Sequence, residues 1–113
     1  GAEDDIETAG LLIEKGKFVH GLFFCHLSIE KIVKALVVKE TGEIPPKSHD
    51  IFYLAEKANA EIPEDMLIIS QILMKYQLEG RYPESFPSKP KSDAVMKYFV
   101  ETQKLLEWFK MKL

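Results

Sequence analysis

Apolar residues recur along this chain at steps of three and four, in five blocks separated by glycine or proline. The first block, about Asp4–Lys15, carries Ile6, Ala9, Leu12 and Ile13, with Gly16 marking its end. That period belongs to an amphipathic helix with one face in a core. The second, about Lys17–Glu40, is the strongest. Phe18, Leu22, Cys25, Ile29, Ile32, Val33 and Leu36 fall on one face, Thr41-Gly42 ends the helix, and Pro45-Pro46 forbids its continuation.

Ser48 is the expected N-cap of a third helix, roughly His49–Asn59, with Phe52 and Ala55 turned inward. Pro63 followed by Glu64 and Asp65 opens a fourth, since proline suits a first turn and carboxylates suit the positive end of the dipole. It runs through Met66, Ile69, Ile72, Leu73 and Tyr76 to about Leu78. Gly80–Lys91, with prolines at 83, 87 and 90, is the one long irregular stretch. Ser92-Asp93 then starts a fifth helix, lined by Val95, Phe99, Thr102, Leu105, Leu106 and Phe109. No run alternates with the period of two that a half-buried strand requires. The pattern predicts an all-α fold, an up-and-down four-helix bundle with a short additional helix, in a single domain over residues 1–113.

Composition supports this. With 46% hydrophobic and 29% charged residues, the chain has material for a core without disulfides or a structural metal. A net charge of −3 argues against sequence-independent affinity for a nucleic-acid duplex, which rests on a basic surface. Cys25 is the single cysteine, so neither an internal disulfide nor a zinc-ribbon spacing exists, and a reducing cytoplasm is the expected setting. The longest stretch free of Lys, Arg, Asp and Glu, Phe18–Ile29, is too short to span a bilayer, so no membrane association is expected.

Winding the second helix at about 100° per residue sets a stripe of His20, Lys31 and Lys34 opposite the core face, with Glu30 at its border. Two readings stand. Glu30 and Lys34 form an i,i+4 pair that supports the helix, or Lys31 and Lys34 face a groove and hold a phosphate. His26, on the flank of the core face, reads as a satisfied interior residue before it reads as a ligand. His20, His26 and His49 show no metal-binding spacing, and no metal or cofactor is expected. At the start of the third helix, Asp50 complements the dipole and His49 helps to cap it. Alternatively, His49 is an imidazole oriented by the neighbouring carboxylate, as a general base is held. Arg81, in Gly80-Arg81-Tyr82-Pro83, either caps the preceding helix or binds a phosphate while the Tyr82 ring stacks a base. Cys25, in an apolar face, reads as an inert core thiol.

Taken in order, these segments resemble the HEPN domains (higher eukaryotes and prokaryotes nucleotide-binding). The resemblance rests on the run from His26 through Glu30-Lys31 to Lys34-Ala35-Leu36, on Ser48-His49-Asp50-Ile51, and on Arg81-Tyr82-Pro83 ahead of the last long helix. It implies a helical bundle that dimerises through helices flanking a cleft. Many such domains are metal-independent ribonucleases in which an Arg is followed, after an interval of four to six residues, by a His. Here Phe86, Pro87 and Ser88 stand where that His belongs, and no His occurs beyond His49. The Arg-Tyr-Pro form instead resembles the small HEPN partners of minimal nucleotidyltransferases. That resemblance implies a non-catalytic homodimeric module, in a toxin–antitoxin-like pair, that binds a nucleotide or nucleic-acid phosphate, such as that of RNA, or serves as its partner's substrate-presenting subunit. Its contacts are expected from Arg81, Tyr82, Lys34, Lys31, Glu30, His49 and Asp50, and no catalytic residue is assigned. The competing expectations are a ribonuclease using a non-standard His, and a ligand-free dimerisation scaffold.

Overall fold

In the computed structural model, residues 1–77 and 90–113 are described, and among them every regular element is helical. Helix α1 spans Ala2–Glu14, α2 Phe18–Thr41 and α3 Ile51–Lys57. A 3-10 turn at Glu64–Met66 leads into α4, Leu67–Met74, and α5 spans Ser92–Lys110. The all-α expectation holds.

The long α2 is the axis on which the others pack. It meets α1 most extensively, α5 along a second side, and α3 and α4 on a third. Its buried set therefore exceeds one stripe, and adds His26, Ser28, Glu30 and Val37 to the apolar face read from the sequence. Ile6, Ala9 and Ile13 from α1, Leu54 from α3, Leu73 from α4, and Val95, Leu105 and Phe109 from α5 close the core. Each fully buried large aliphatic or aromatic side chain contributes about 1.5–3 kcal/mol of transfer free energy.

Gly21 is what lets α1 approach so closely. A Cβ there would lie 2.6 Å from Ile13 Cγ1 and 3.3 Å from the Ala9 carbonyl oxygen. At the other end of α2, Gly42 takes a left-handed conformation (φ 71°) and its N–H donates to the Val38 carbonyl at 2.8 Å. This is the stop that Thr41-Gly42 predicted.

Two boundaries differ from the expectation. The third helix begins at Ile51, not His49, and its N-cap is Asp50 rather than Ser48. Asp50 Oδ1 accepts the backbone N–H groups of Phe52 (2.9 Å) and Tyr53 (3.2 Å), while Ser48 Oγ accepts only from Asp50 N–H. Two capping residues competed for one terminus, and the carboxylate, closer to the helix, took it. The fourth helix starts one turn later than Pro63 suggested. It ends at Met74, where Lys75 and Tyr76 close tighter i,i+3 bonds to Ile72 and Leu73.

Candidate functional site

One polar residue of α2 departs from the helical wheel: His20 and Lys31 are exposed and Lys34 is partly so, on the outer side expected of them, but Glu30 is not. Glu30, expected at the border of the outer stripe, is buried, its side chain only 7% exposed. The segment entering α3 packs over this side of α2 and turns an apparent outer border into an inner wall. Burying a carboxylate is costly unless charges and hydrogen bonds compensate, and both are present. Lys34 Nζ donates to Glu30 Oε2 at 2.9 Å from one turn along, and His49 Nδ1 stands 3.0 Å from Glu30 Oε1 across the helix boundary.

A second histidine locks this corner from below. His26 Nε2 donates to the His49 carbonyl at 2.8 Å, which fixes the backbone that carries the His49 ring. His26 Nδ1 then faces Glu30 Oε1 at 3.7 Å. Burial lowers the His26 pKa, outweighing the His49 carbonyl and the Glu30 charge, so this ring is held neutral. It is the satisfied interior histidine that the sequence suggested, and it also positions His49. For Glu30, burial alone would raise the pKa. The hydrogen bonds and charges of Lys34 and His49 outweigh it and hold the carboxyl below its ordinary value, hence ionised.

The seven expected contact residues therefore divide. The fold brings Glu30, Lys34 and His49 together, with Lys34 and His49 partly exposed at the mouth (27% and 41%). Lys31 is elsewhere: its Nζ lies 2.7 Å from Asp5 Oδ2 on α1, so its charge ties α1 to α2 rather than joining Lys34. Asp50 does not orient the His49 ring, because its carboxylate is used by the α3 N-cap. Arg81 and Tyr82 lie outside the described residues. Asp5 was missed from the sequence because three acidic residues open α1 and nothing in the order says which one turns inward; its spacing from Ala9 and Ile13 is the one signal.

Cys25 is fully buried, and burial pushes its thiol up to about 12, a shift that a hydrogen bond with Thr102 only partly offsets. It is an inert core thiol, as expected. Among the described residues no group of three or more His, Cys, Asp or Glu side chains is placed to hold a metal ion, and no helix is long and apolar enough to cross a membrane.

The sequence from residue 1 to 112 matches the family model of the HEPN domain. The chain belongs to the HEPN family. This agrees with a helical fold in which the second helix carries Glu30 and Lys34 and a His-Asp pair immediately precedes the third. No curated protein and no solved structure matched the chain in the corresponding searches. Within this HEPN domain, the corner of Glu30, Lys34 and His49 is the candidate site. It can present two nitrogen-bearing side chains side by side, each set in place by one shared carboxylate.

Proposed function

We propose that this HEPN domain is a non-catalytic module that binds a nucleotide or an RNA phosphate beside Lys34 and His49, and that it acts as a homodimer with a minimal nucleotidyltransferase in a toxin–antitoxin-like pair. The supporting observation is the buried Glu30 carboxylate that fixes both Lys34 and His49. A buried ionised pair gains little for stability over apolar packing, so a carboxylate that holds two partly exposed nitrogen-bearing side chains supports a role beyond packing. Titratable groups set by burial and specific charge partners at a partly open corner make a functional-site candidate. Arg81 and Tyr82 join the proposal through the family resemblance alone, and the partner and the pairing with it rest on the Arg-Tyr-Pro form.

Thermal unfolding with ATP, GTP and nucleoside monophosphates tests the binding. A ligand at 100 times its Kd adds about 2.7 kcal/mol to the stability, and the gain is expected to vanish in Lys34→Ala/His49→Ala. No stabilisation at millimolar ligand would sink the reading and leave the dimerisation scaffold.

One observation favours a second reading. Glu30 holds Nδ1 of His49 as a general base is held, which suits abstraction of a ribose 2′-hydroxyl proton and attack of that oxygen on the adjacent phosphate. That attack gives a 2′,3′-cyclic phosphate while the bond from phosphorus to the next nucleotide's 5′-oxygen breaks, and that oxygen leaves as an alcohol with a proton from water. Incubation with tRNA and total RNA, beside His49→Ala and Arg81→Ala, separates the two. The non-catalytic reading expects intact RNA; cleavage that disappears in His49→Ala replaces it with the ribonuclease.

A further inference from the structure

A groove of about 550 Å³ runs between α1 and α5, on a face that the phosphate site does not use. The half-buried Phe99 ring forms its floor against Gly10, where a side chain would come within 3.1 Å of the ring. Above the floor stand Leu11 from α1 and Met96 from α5, 54% and 52% exposed. Single exposed apolar residues are ordinary on a soluble domain, whereas apolar side chains from two helices that line one groove offer a surface for a partner.

The rim of this groove has one sign. Glu3, Glu7 and Glu14 line it, and among the described residues no lysine or arginine does. Glu3 is already paired with Lys110 on α5. Among the described residues Glu7 and Glu14 form no ion pair, and both are exposed. They stand seven residues apart on one helix, so about 10 Å of axial rise separates them, two full turns.

We propose that this groove receives a helical segment of another protein, one that carries an apolar stripe flanked by lysines or arginines about two turns apart. Two parallel walls of helix favour a helix as the occupant, its apolar stripe covering Leu11, Met96 and Phe99. The unpaired carboxylates select its cations, and they repel nucleic acid and anionic lipid alike. They also disfavour a second copy docking through its own α1, which is acidic in the same way. The proposal is independent of the phosphate site.

The test uses two synthetic amphipathic peptides of about 18 residues, long enough for partial helicity. One is built from leucine with lysines seven apart, the other has glutamate in place of lysine. Calorimetry and the amide shifts of α1 and α5 report binding. The lysine peptide is expected to bind, more weakly as NaCl is raised, and at least about ten-fold more weakly to Glu7→Lys/Glu14→Lys and to Leu11→Ser, both judged folded by circular dichroism. No binding, equal binding of the glutamate peptide, or affinity unchanged in the variants overturns the proposal. Sedimentation of the protein alone completes the test. A homodimer that dissociates in Leu11→Arg assigns the groove to a second copy and likewise overturns it.

Discussion

Glu30 Oε1 and His49 Nδ1 lie 3.0 Å apart although 19 residues separate them in the chain. This contact pins the start of α3 to the middle of α2. Together with the His26 bond to the His49 carbonyl, it makes a closed polar loop within one corner of the bundle. Glu30→Ala is therefore expected to destabilise the domain by about 1–3 kcal/mol, because two partners lose their acceptor in a largely buried place. The loss stays below that of breaking a fully buried ion pair, since Lys34 and His49 can turn to water. Urea denaturation measures it, and Glu30→Gln, which keeps an acceptor, is expected to lose less.

The same corner sets an acid limit on stability. The His26 pKa is lowered from its ordinary 6.5 and that of Glu30 from its ordinary 4.5. In both cases the unfolded chain binds protons that the folded chain refuses, so stability falls as pH drops. The His26 contribution is complete above 6.5 and declines as pH falls below it toward the folded-state value; the Glu30 contribution declines below 4.5. Denaturation midpoints recorded from about pH 8 to about pH 4 are expected to fall first below about 6.5. His26→Gln, whose amide can still donate to the His49 carbonyl, is expected to flatten that first decline and leave the second.

Lys31 and Lys34 are predicted to behave differently although three residues apart on one helix. Lys34 shares a carboxylate with His49, whereas Lys31 serves the α1–α2 joint through Asp5. Lys34→Ala is expected to weaken nucleotide or phosphate binding several-fold. Lys31→Ala is expected to leave that affinity unchanged while lowering stability by up to about 1 kcal/mol, the range of a partly exposed ion pair. Titration of both variants with the ligand found by thermal shift decides it. A loss of affinity in Lys31→Ala contradicts the site as drawn.

Gly21→Ala is expected to destabilise the domain by about 1–3 kcal/mol despite alanine's better helix propensity, because the new Cβ collides with Ile13 Cγ1 at 2.6 Å. Ile13→Ala makes a cavity by itself but removes the colliding atom. The double variant is then expected to be less unstable than the two single losses predict, a coupling readable from a four-protein cycle of denaturation curves.

The sequence by itself determined the helical class and the five α-helices of the described residues. It also placed the apolar face of α2 and the stop at Gly42, because a period near 3.6 and a glycine free to adopt positive φ act through neighbours in the chain. The HEPN resemblance was legible there too, through the order of Glu30-Lys31, His49-Asp50 and Arg81-Tyr82-Pro83. Which flank of α2 faces water was not. A helical wheel has one inside, whereas α2 is packed by α1, α5 and α3 from three directions. Tertiary structure alone therefore buried Glu30 and gave Asp5 to Lys31. These outcomes are contacts between elements, and the energy that decides them comes from groups that local pattern does not bring together.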